Sequence, residues 1–313
     1  MNGLRILGTG RCLPRRVVTN DDLAQLVDTS DEWITARTGI RERRFVGEET
    51  LTDLTVQAAR LALKRAGVSA GDVGLCVTAT ITPDRTTPAQ SCLIHQALGL
   101  PEDCPAFDLG AGCTGYLYAM ETVAALLPRM KRPYALLVGG EVLSRVTDMT
   151  DRSTCILFGD GAGAAVAEVD HGPWHCLLGA RGDGDILWAP GPGLSEHPHL
   201  HMDGQGVFRF ALETVPKAAL TLLDQAGMTA EQVDWFVPHQ ANHRIVEGIA
   251  HRLRVPLERF YENIQSYGNT SAATIPIALD EMAGQNLLRP GQWIMCLGFG
   301  AGLTWGGILF QWH

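Results

Sequence analysis

Apolar positions follow two rhythms along the chain. Short, near-continuous runs rich in β-branched residues occupy 74–80, 135–138, 235–237 and 293–297. Longer stretches at 53–66, 114–128, 207–226, 242–253 and 271–284 carry apolar residues at helical spacing. A strand buried on both faces loses the polar alternation of a half-exposed one. Such strands alternating with helices predict an α/β protein whose sheets are covered by helices.

The pattern also repeats. Ala66-Gly67-Val68-Ser69 returns as Ala226-Gly227-Met228-Thr229, 160 positions later. Each reads as a helix closed by Gly at its C′ position, then a capped turn into a buried strand. Arg132-Pro133 returns as Arg289-Pro290, 157 positions later. These near-equal offsets predict a duplicated half, with the halves spanning 1–170 and 171–313. Residues 182–202, rich in Gly, Pro and His, read as a loop.

Composition narrows the partners. The 313 residues are 46% hydrophobic and 19% charged, which fits a folded chain and excludes extensive disorder. Asp and Glu number 34 against 25 Lys and Arg, a formal net charge of -9 that argues against nucleic acid. No apolar run approaches the ~18 residues of a membrane span, and no export signal is visible. A cytoplasmic protein without a membrane partner is the expectation. The eight cysteines form no Cys-x-x-Cys pair and read as reduced thiols, most of them small buried residues.

Three segments carry candidate chemistry. In Asp108-Leu109-Gly110-Ala111-Gly112-Cys113-Thr114-Gly115, a strand leads through small residues into a helix. Cys113 falls at the helix start, where free amides and the dipole lower a thiol pKa. Small neighbours leave room for substrate, although a tight turn around a buried thiol has the same pattern. His239, in Val237-Pro238-His239-Gln240-Ala241-Asn242, sits at a strand end, where a site residue or a structural histidine would fit. Asn269 precedes the helix at 271–284 and would serve as its N-cap; standing 156 positions after Cys113, it also reads as the equivalent residue of the second half. Gly159–Gly163 and Gly298–Gly302 lack the order of a dinucleotide turn. Alternate histidines His197, His199 and His201 have no matching carboxylate or thiol and read as a polar loop, so no metal is expected.

Together these residues resemble β-ketoacyl-acyl carrier protein synthase III, the initiating condensing enzyme of type II fatty acid synthesis. The resemblance runs from Asp31-Glu32-Trp33-Ile34 and Arg37-Thr38-Gly39-Ile40 through the Cys113 segment to Phe158-Gly159-Asp160-Gly161, Pro238-His239-Gln240-Ala241-Asn242, Gly268-Asn269-Thr270-Ser271 and Gly302-Leu303-Thr304-Trp305. It implies the thiolase fold, with two βαβα halves in a five-layer α-β-α-β-α arrangement, usually as a homodimer. It further implies a Cys113-His239-Asn269 triad, acyl-CoA and malonyl-acyl carrier protein as substrates, and no cofactor. Backbone amides of Cys113 and Ala301 would form the oxyanion site; the family usually has Gly at 301, so Ala301 fits only if its angles are not reserved for Gly. Thr29, Trp33, Arg37, Arg152, Gly204, Gln205, Phe208 and Asn242 would contact CoA, and Phe299 would shield the decarboxylation site. Thr87 stands where some relatives close the acyl channel with Phe across the dimer, which implies room for longer or branched primers. Arg244, His251 and Arg252, beside the apolar stripe Ile245, Ile249 and Leu253, form the expected docking patch for the acidic carrier protein. Cys296 resembles the second cysteine of thiolases, yet its surroundings read as a plain strand. The alternative within the fold is a secondary-metabolism acyltransferase or ketosynthase with the same triad. A noncatalytic acyl-CoA or carrier-protein binding module is a third reading, against which the retention of all three polar residues argues.

Overall fold

The computed structural model describes residues 3–191, 193–196 and 198–313. The elements that build the architecture are, in chain order, β1 (Gly3–Cys12), α1 (Leu51–Ala66), β2 (Val73–Ala79), α2 (Gln90–Leu98), β3 (Ala106–Leu109), α3 (Gly115–Leu126), β4 (Tyr134–Val142), β5 (Asp160–Asp170), β6 (Trp174–Asp183), α4 (Gly204–Ala226), β7 (Trp235–Pro238), α5 (His243–Leu253), α6 (Thr274–Gly284), β8 (Trp293–Gly300) and β9 (Gly302–Gln311).

Two sheets result. The first has the order β1-β5-β4-β2-β3, antiparallel across its first two pairs and parallel across the other two. The second has the order β6-β9-β8-β7 and repeats the pattern, antiparallel twice and then parallel. Where β3 closes the first sheet, the second has a single parallel bridge from Phe260 to Phe236, with the two rings stacked 4.6 Å apart. The first sheet's last strand in sequence ends at Asp170, and the second sheet begins at Trp174.

Helices fill the layers as their burial dictates. α1 lies on the outer face of the first sheet, and α4, with α5 packed on it, covers the second. α3 and α6 lie between the sheets and touch both, completing the five-layer α-β-α-β-α arrangement of the thiolase fold. A helix covered on two sides has no polar face to spare, and in α6 every residue from Thr274 to Asp280 is buried. α1 instead buries Leu51, Leu54, Ala58, Ala62 and their neighbours along one stripe. A Thr50–Asp53 capping box opens it, and Gly67 at φ 65° closes it; Gly227 at φ 64° closes α4 in the same way.

Candidate active site

β3 runs into a tight turn, Gly112–Thr114, that continues directly as α3. Gly112 adopts a left-handed φ of 52°, which turns the chain so that Cys113 faces inward. The turn is tied down from the other half. Thr114 Oγ1 donates to Ala111 O at 2.8 Å and shares a 2.8 Å hydrogen bond with Thr304 Oγ1 on β9. Gly300, at the end of β8, passes so close that a Cβ there would stand 2.9 Å from the Cβ of Cys113.

The second half builds the same device from Ser271–Ala273, which leads into α6. Ser271 has φ 48° where the first half has Gly112. This superposition places Ala272, not Asn269, opposite Cys113, and Asn269 falls opposite Gly110. The expected equivalence was three residues out of register, because the paired turns Gly112–Thr114 and Ser271–Ala273 stand 159 positions apart, not 156. Nor does Asn269 cap α6 itself, whose N-cap is Ala273. It forms a parallel bridge with Phe158, its amide donating to Leu157 O at 2.8 Å and its carbonyl accepting from Gly159 N at 3.0 Å. Its Oδ1 accepts from the Ser271 amide at 2.8 Å. That bond commits the oxygen and leaves the Nδ2 hydrogens for the cavity.

His239 follows β7 directly, and its backbone amide donates to Leu297 O at 2.7 Å. The residue is 2% exposed and its ring stands edge-on to Phe299 at 5.4 Å; its Nδ1 is buried without a partner. Burial drives the imidazole down to about 3, so His239 is neutral throughout the physiological range.

Cys113, His239 and Asn269 line one cavity of about 140 Å³, with Ile81, Leu143, Leu157, Phe158, Leu200 and Ile245 among its apolar walls. Gly204, Phe208, Asn242, Phe299 and Ala301 line it too. Here the electrostatics reverse one expectation. Burial pushes the Cys113 thiol up to about 11, and the negative charge of Glu141 adds to the rise. The Ser271 hydroxyl and the cysteine's own amide pull the other way without offsetting the lost hydration. In the unliganded site the sulfur is a thiol, not the thiolate that the helix start alone predicts.

Ala301 occupies the turn between β8 and β9, and the unusual angle falls on the next residue, Gly302, at φ 135°. Ala301 is not among the positive-φ residues, so its methyl group costs no backbone strain. Trp33 lies beneath two guanidinium groups, Arg152 at 4.3 Å and Arg37 at 5.6 Å. Asn242, the N-cap of α5, donates to Arg37 O at 3.1 Å and so joins that cluster to the cavity. Thr29, Trp33, Arg37, Arg152 and Gln205 are not cavity-lining residues; Thr29 Oγ1 is buried without a partner, and Gln205 is exposed in the first turn of α4. Thr87 is exposed and outside the cavity of its own chain, although Ile81 of the same loop lines it. Arg244, His251 and Arg252 are exposed on α5, whose Ile245, Ile249 and Leu253 are buried. Cys296 is a buried β8 residue. His199 lies 3.9 Å from Asp148, His201 stacks on Trp188 at 4.3 Å, and His197 lies outside the described residues.

Sequence reasoning passed over two polar residues, Ser271 and Glu141. Glu141 is fully buried at the end of β4 and accepts from Thr82 Oγ1 at 2.6 Å and from Thr80 Oγ1 and Ile81 N at 3.2 Å. A lone carboxylate inside an otherwise apolar run, as in 134–142, was the available signal. The apolar walls left no such trace, because lining residues and core residues read alike.

A thiol, an imidazole and a carboxamide brought from two sheet systems to one apolar cavity define a condensing acyltransferase of the thiolase fold. Residues 107–181 match the family model described as 3-oxoacyl-[acyl-carrier-protein (ACP)] synthase III, and residues 223–312 match its C-terminal counterpart. The chain is 44% identical over 319 residues to the β-ketoacyl-[acyl-carrier-protein] synthase III of Neisseria meningitidis, covering 99% of this chain and all of that one. A relative of the same name from Natranaerobius thermophilus is 42% identical over the full length of both chains. The crystal structure of 3-oxoacyl-[acyl-carrier-protein] synthase III from Aquifex aeolicus superposes with a TM-score of 0.94 at 40% identity, over 99% of this chain and 100% of that one. This chain belongs to the β-ketoacyl-[acyl-carrier-protein] synthase III family. The secondary-metabolism alternative is not favoured.

Proposed function

We propose that this protein starts fatty acid synthesis by condensing an acyl-CoA primer with malonyl-acyl carrier protein through an acyl-Cys113 intermediate. One observation carries the reading: Cys113 from residues 1–170 and His239 and Asn269 from residues 171–313 share a single apolar cavity. In the first step Cys113 sulfur attacks the primer thioester carbon, the bond to the CoA sulfur breaks, and CoA leaves as its thiol. Malonyl-acyl carrier protein then enters and loses CO₂. His239, neutral, and Asn269, through Nδ2, donate hydrogen bonds to the thioester oxygen on which enolate charge develops. The enolate carbon attacks the acyl-Cys113 carbonyl, whose oxyanion is met by the amides of Cys113 and Ala301. Collapse releases the sulfur and the β-ketoacyl product.

The low pKa of His239 supports this division of labour, since an imidazole that resists protonation is a poor base and a steady donor. Trp33, with Arg37 and Arg152 over its ring, supplies an aromatic surface and two cations for the CoA nucleotide, reaching the cavity through Asn242. The site takes no cofactor, and the working form is a cytoplasmic homodimer. Among the described residues no helix is long and apolar enough to cross a membrane. Intact-mass analysis after incubation with acyl-CoA tests the proposal. One acyl adduct on Cys113, discharged by malonyl-acyl carrier protein and absent from Cys113→Ala, is the expected result.

A further inference from the structure

Behind the sulfur lies an acid that the condensation scheme does not use. Ser271 Oγ donates to Glu141 Oε1 at 3.4 Å, and Ser271 lines the same cavity as Cys113, the turns that carry the two residues packing against each other. Glu141 is 0% exposed, and among the described residues no Lys, Arg or His hydrogen-bonds or ion-pairs with it. The groups hydrogen-bonded to its carboxyl are Thr80, Thr82 and the Ile81 amide from the segment after β2 and Ser271 from the turn before α6, and its charge raises the Cys113 thiol across that turn. Nearby carboxylates are committed elsewhere. Asp84 is held by Arg145 at 2.7 Å and by Thr52, and Asp160 by Ser144 and the Val46 amide.

A hydroxyl can accept from one neighbour while donating to the other, and it can reverse both bonds together. We propose that Glu141, acting through Ser271, takes up the Cys113 proton when the sulfur attacks and returns it when the sulfur is released. This rests on the reading of Cys113 as acyl acceptor. In the forward direction the S–H bond breaks and its proton goes to Ser271 Oγ, while the Ser271 proton passes to Glu141 Oε1. The electron pair stays on sulfur and forms the bond to the acyl carbon, and the departing CoA thiolate takes a proton from solvent. When the condensation expels Cys113 as thiolate, the proton on Glu141 returns by the same path. The buried pair thus carries one negative charge between them whenever the sulfur is not acylated. Glu141 never touches substrate; it is a positioning residue for the proton.

The acceptor strengths agree. Burial raises Glu141 to about 7 and lowers His239 to about 3, so the carboxylate binds a proton far more readily than the imidazole.

The test is the rate of Cys113 adduct formation from acyl-CoA against pH, by rapid quench and mass spectrometry, for wild type, Glu141→Gln and Ser271→Ala. The wild-type rate should climb through an apparent pKa near 7 and level off. Both variants should lose that limb and slow roughly 10²-fold at neutral pH, with the adduct still on Cys113. A Glu141→Gln rate equal to or above wild type with the limb retained overturns the relay, because deleting a charge that merely opposes the thiolate would speed attack. If Glu141→Gln does not unfold cooperatively, Ser271→Ala carries the test, since it keeps the backbone bond to Asn269. Cys113→Ala separates the two readings: an adduct that persists there refutes the nucleophile itself.

Discussion

Ser271 gives its backbone amide to Asn269 Oδ1 at 2.8 Å from a left-handed φ of 48°. The bond fixes which end of the carboxamide the cavity sees. Asn269→Asp keeps an oxygen for Ser271 but replaces the Nδ2 donor with a second acceptor. Malonyl decarboxylation should fall by roughly 10²–10³, the usual cost of one lost donor at a developing oxyanion. Acylation of Cys113 should survive. Separate measurement of CO₂ release and adduct mass checks this; loss of the adduct with decarboxylation intact would invert the assignment.

Gly300 makes a prediction from space alone. A Cβ there would lie 2.9 Å from Cys113 Cβ and 3.0 Å from its amide nitrogen. Neither neighbour is the free end of a flexible side chain, so Gly300→Ala must shift the nucleophile turn. Stability should drop by about 1–3 kcal/mol in urea unfolding. Adduct formation should slow about 10²-fold, as expected for a reacting atom displaced by about 1 Å. Wild-type acylation rates in this variant would mean that the turn yields freely.

The α/β class and the duplication were legible because apolar strands and the two Ala-Gly helix ends are local signals that tertiary packing left in place. β1 was not. Gly8 and Gly10 interrupt its apolar pattern, and added Cβ atoms there would meet the α1 backbone, Ala66 N at 2.4 Å and Ala58 O at 2.2 Å. Those glycines let a helix lie directly on a strand. Cys113, His239 and Asn269 were visible as motifs, but the register of the second half was misplaced by counting from Asn269. The thiol's ionisation was misjudged for a different reason. A helix start shows in sequence, whereas the desolvation that outweighs it depends on walls drawn from distant segments.

His239 gives stability a pH dependence of predictable sign. Its folded pKa near 3 lies below the ordinary 6.5, so the unfolded chain binds the extra proton as pH falls. The contribution is complete above pH 6.5 and drains away toward pH 3. Glu141, raised from 4.5 to about 7, acts oppositely: the folded state holds its proton, and stability falls as pH rises between those values. The informative quantity is therefore the difference between wild type and His239→Gln. Below pH 6.5 wild type should lose stability relative to the variant by up to about 1.4 kcal/mol per pH unit. A pH-independent difference in urea unfolding would place a proton on folded His239.

We propose that primer choice turns on a residue outside the chain's own cavity. Thr87 is exposed and does not line the pocket of its own chain. If it closes the partner's acyl channel, Thr is too small to stop a longer chain. Octanoyl- and isobutyryl-CoA should then acylate Cys113 at least as well as acetyl-CoA. Thr87→Phe should cut octanoyl transfer by more than tenfold while sparing acetyl. A clear preference for acetyl-CoA in the wild type would reject the channel assignment.

Net charge opposes an acidic carrier, so docking depends on where the cations stand. Arg244, His251 and Arg252 project from α5 while Ile245, Ile249 and Leu253 anchor it, and Asn242 at its start lines the cavity. A carrier bound to this face would present its thioester beside the reacting groups. Arg244→Glu places like charges across that contact. The KM for malonyl-acyl carrier protein should rise roughly tenfold, with adduct formation from acyl-CoA changed far less. Because exposed charges are screened within about 8 Å at physiological salt, the gap between variant and wild type should narrow as ionic strength increases. An unchanged carrier KM at low salt would move the docking face elsewhere. A rise that ignored salt would point instead to a distorted α5.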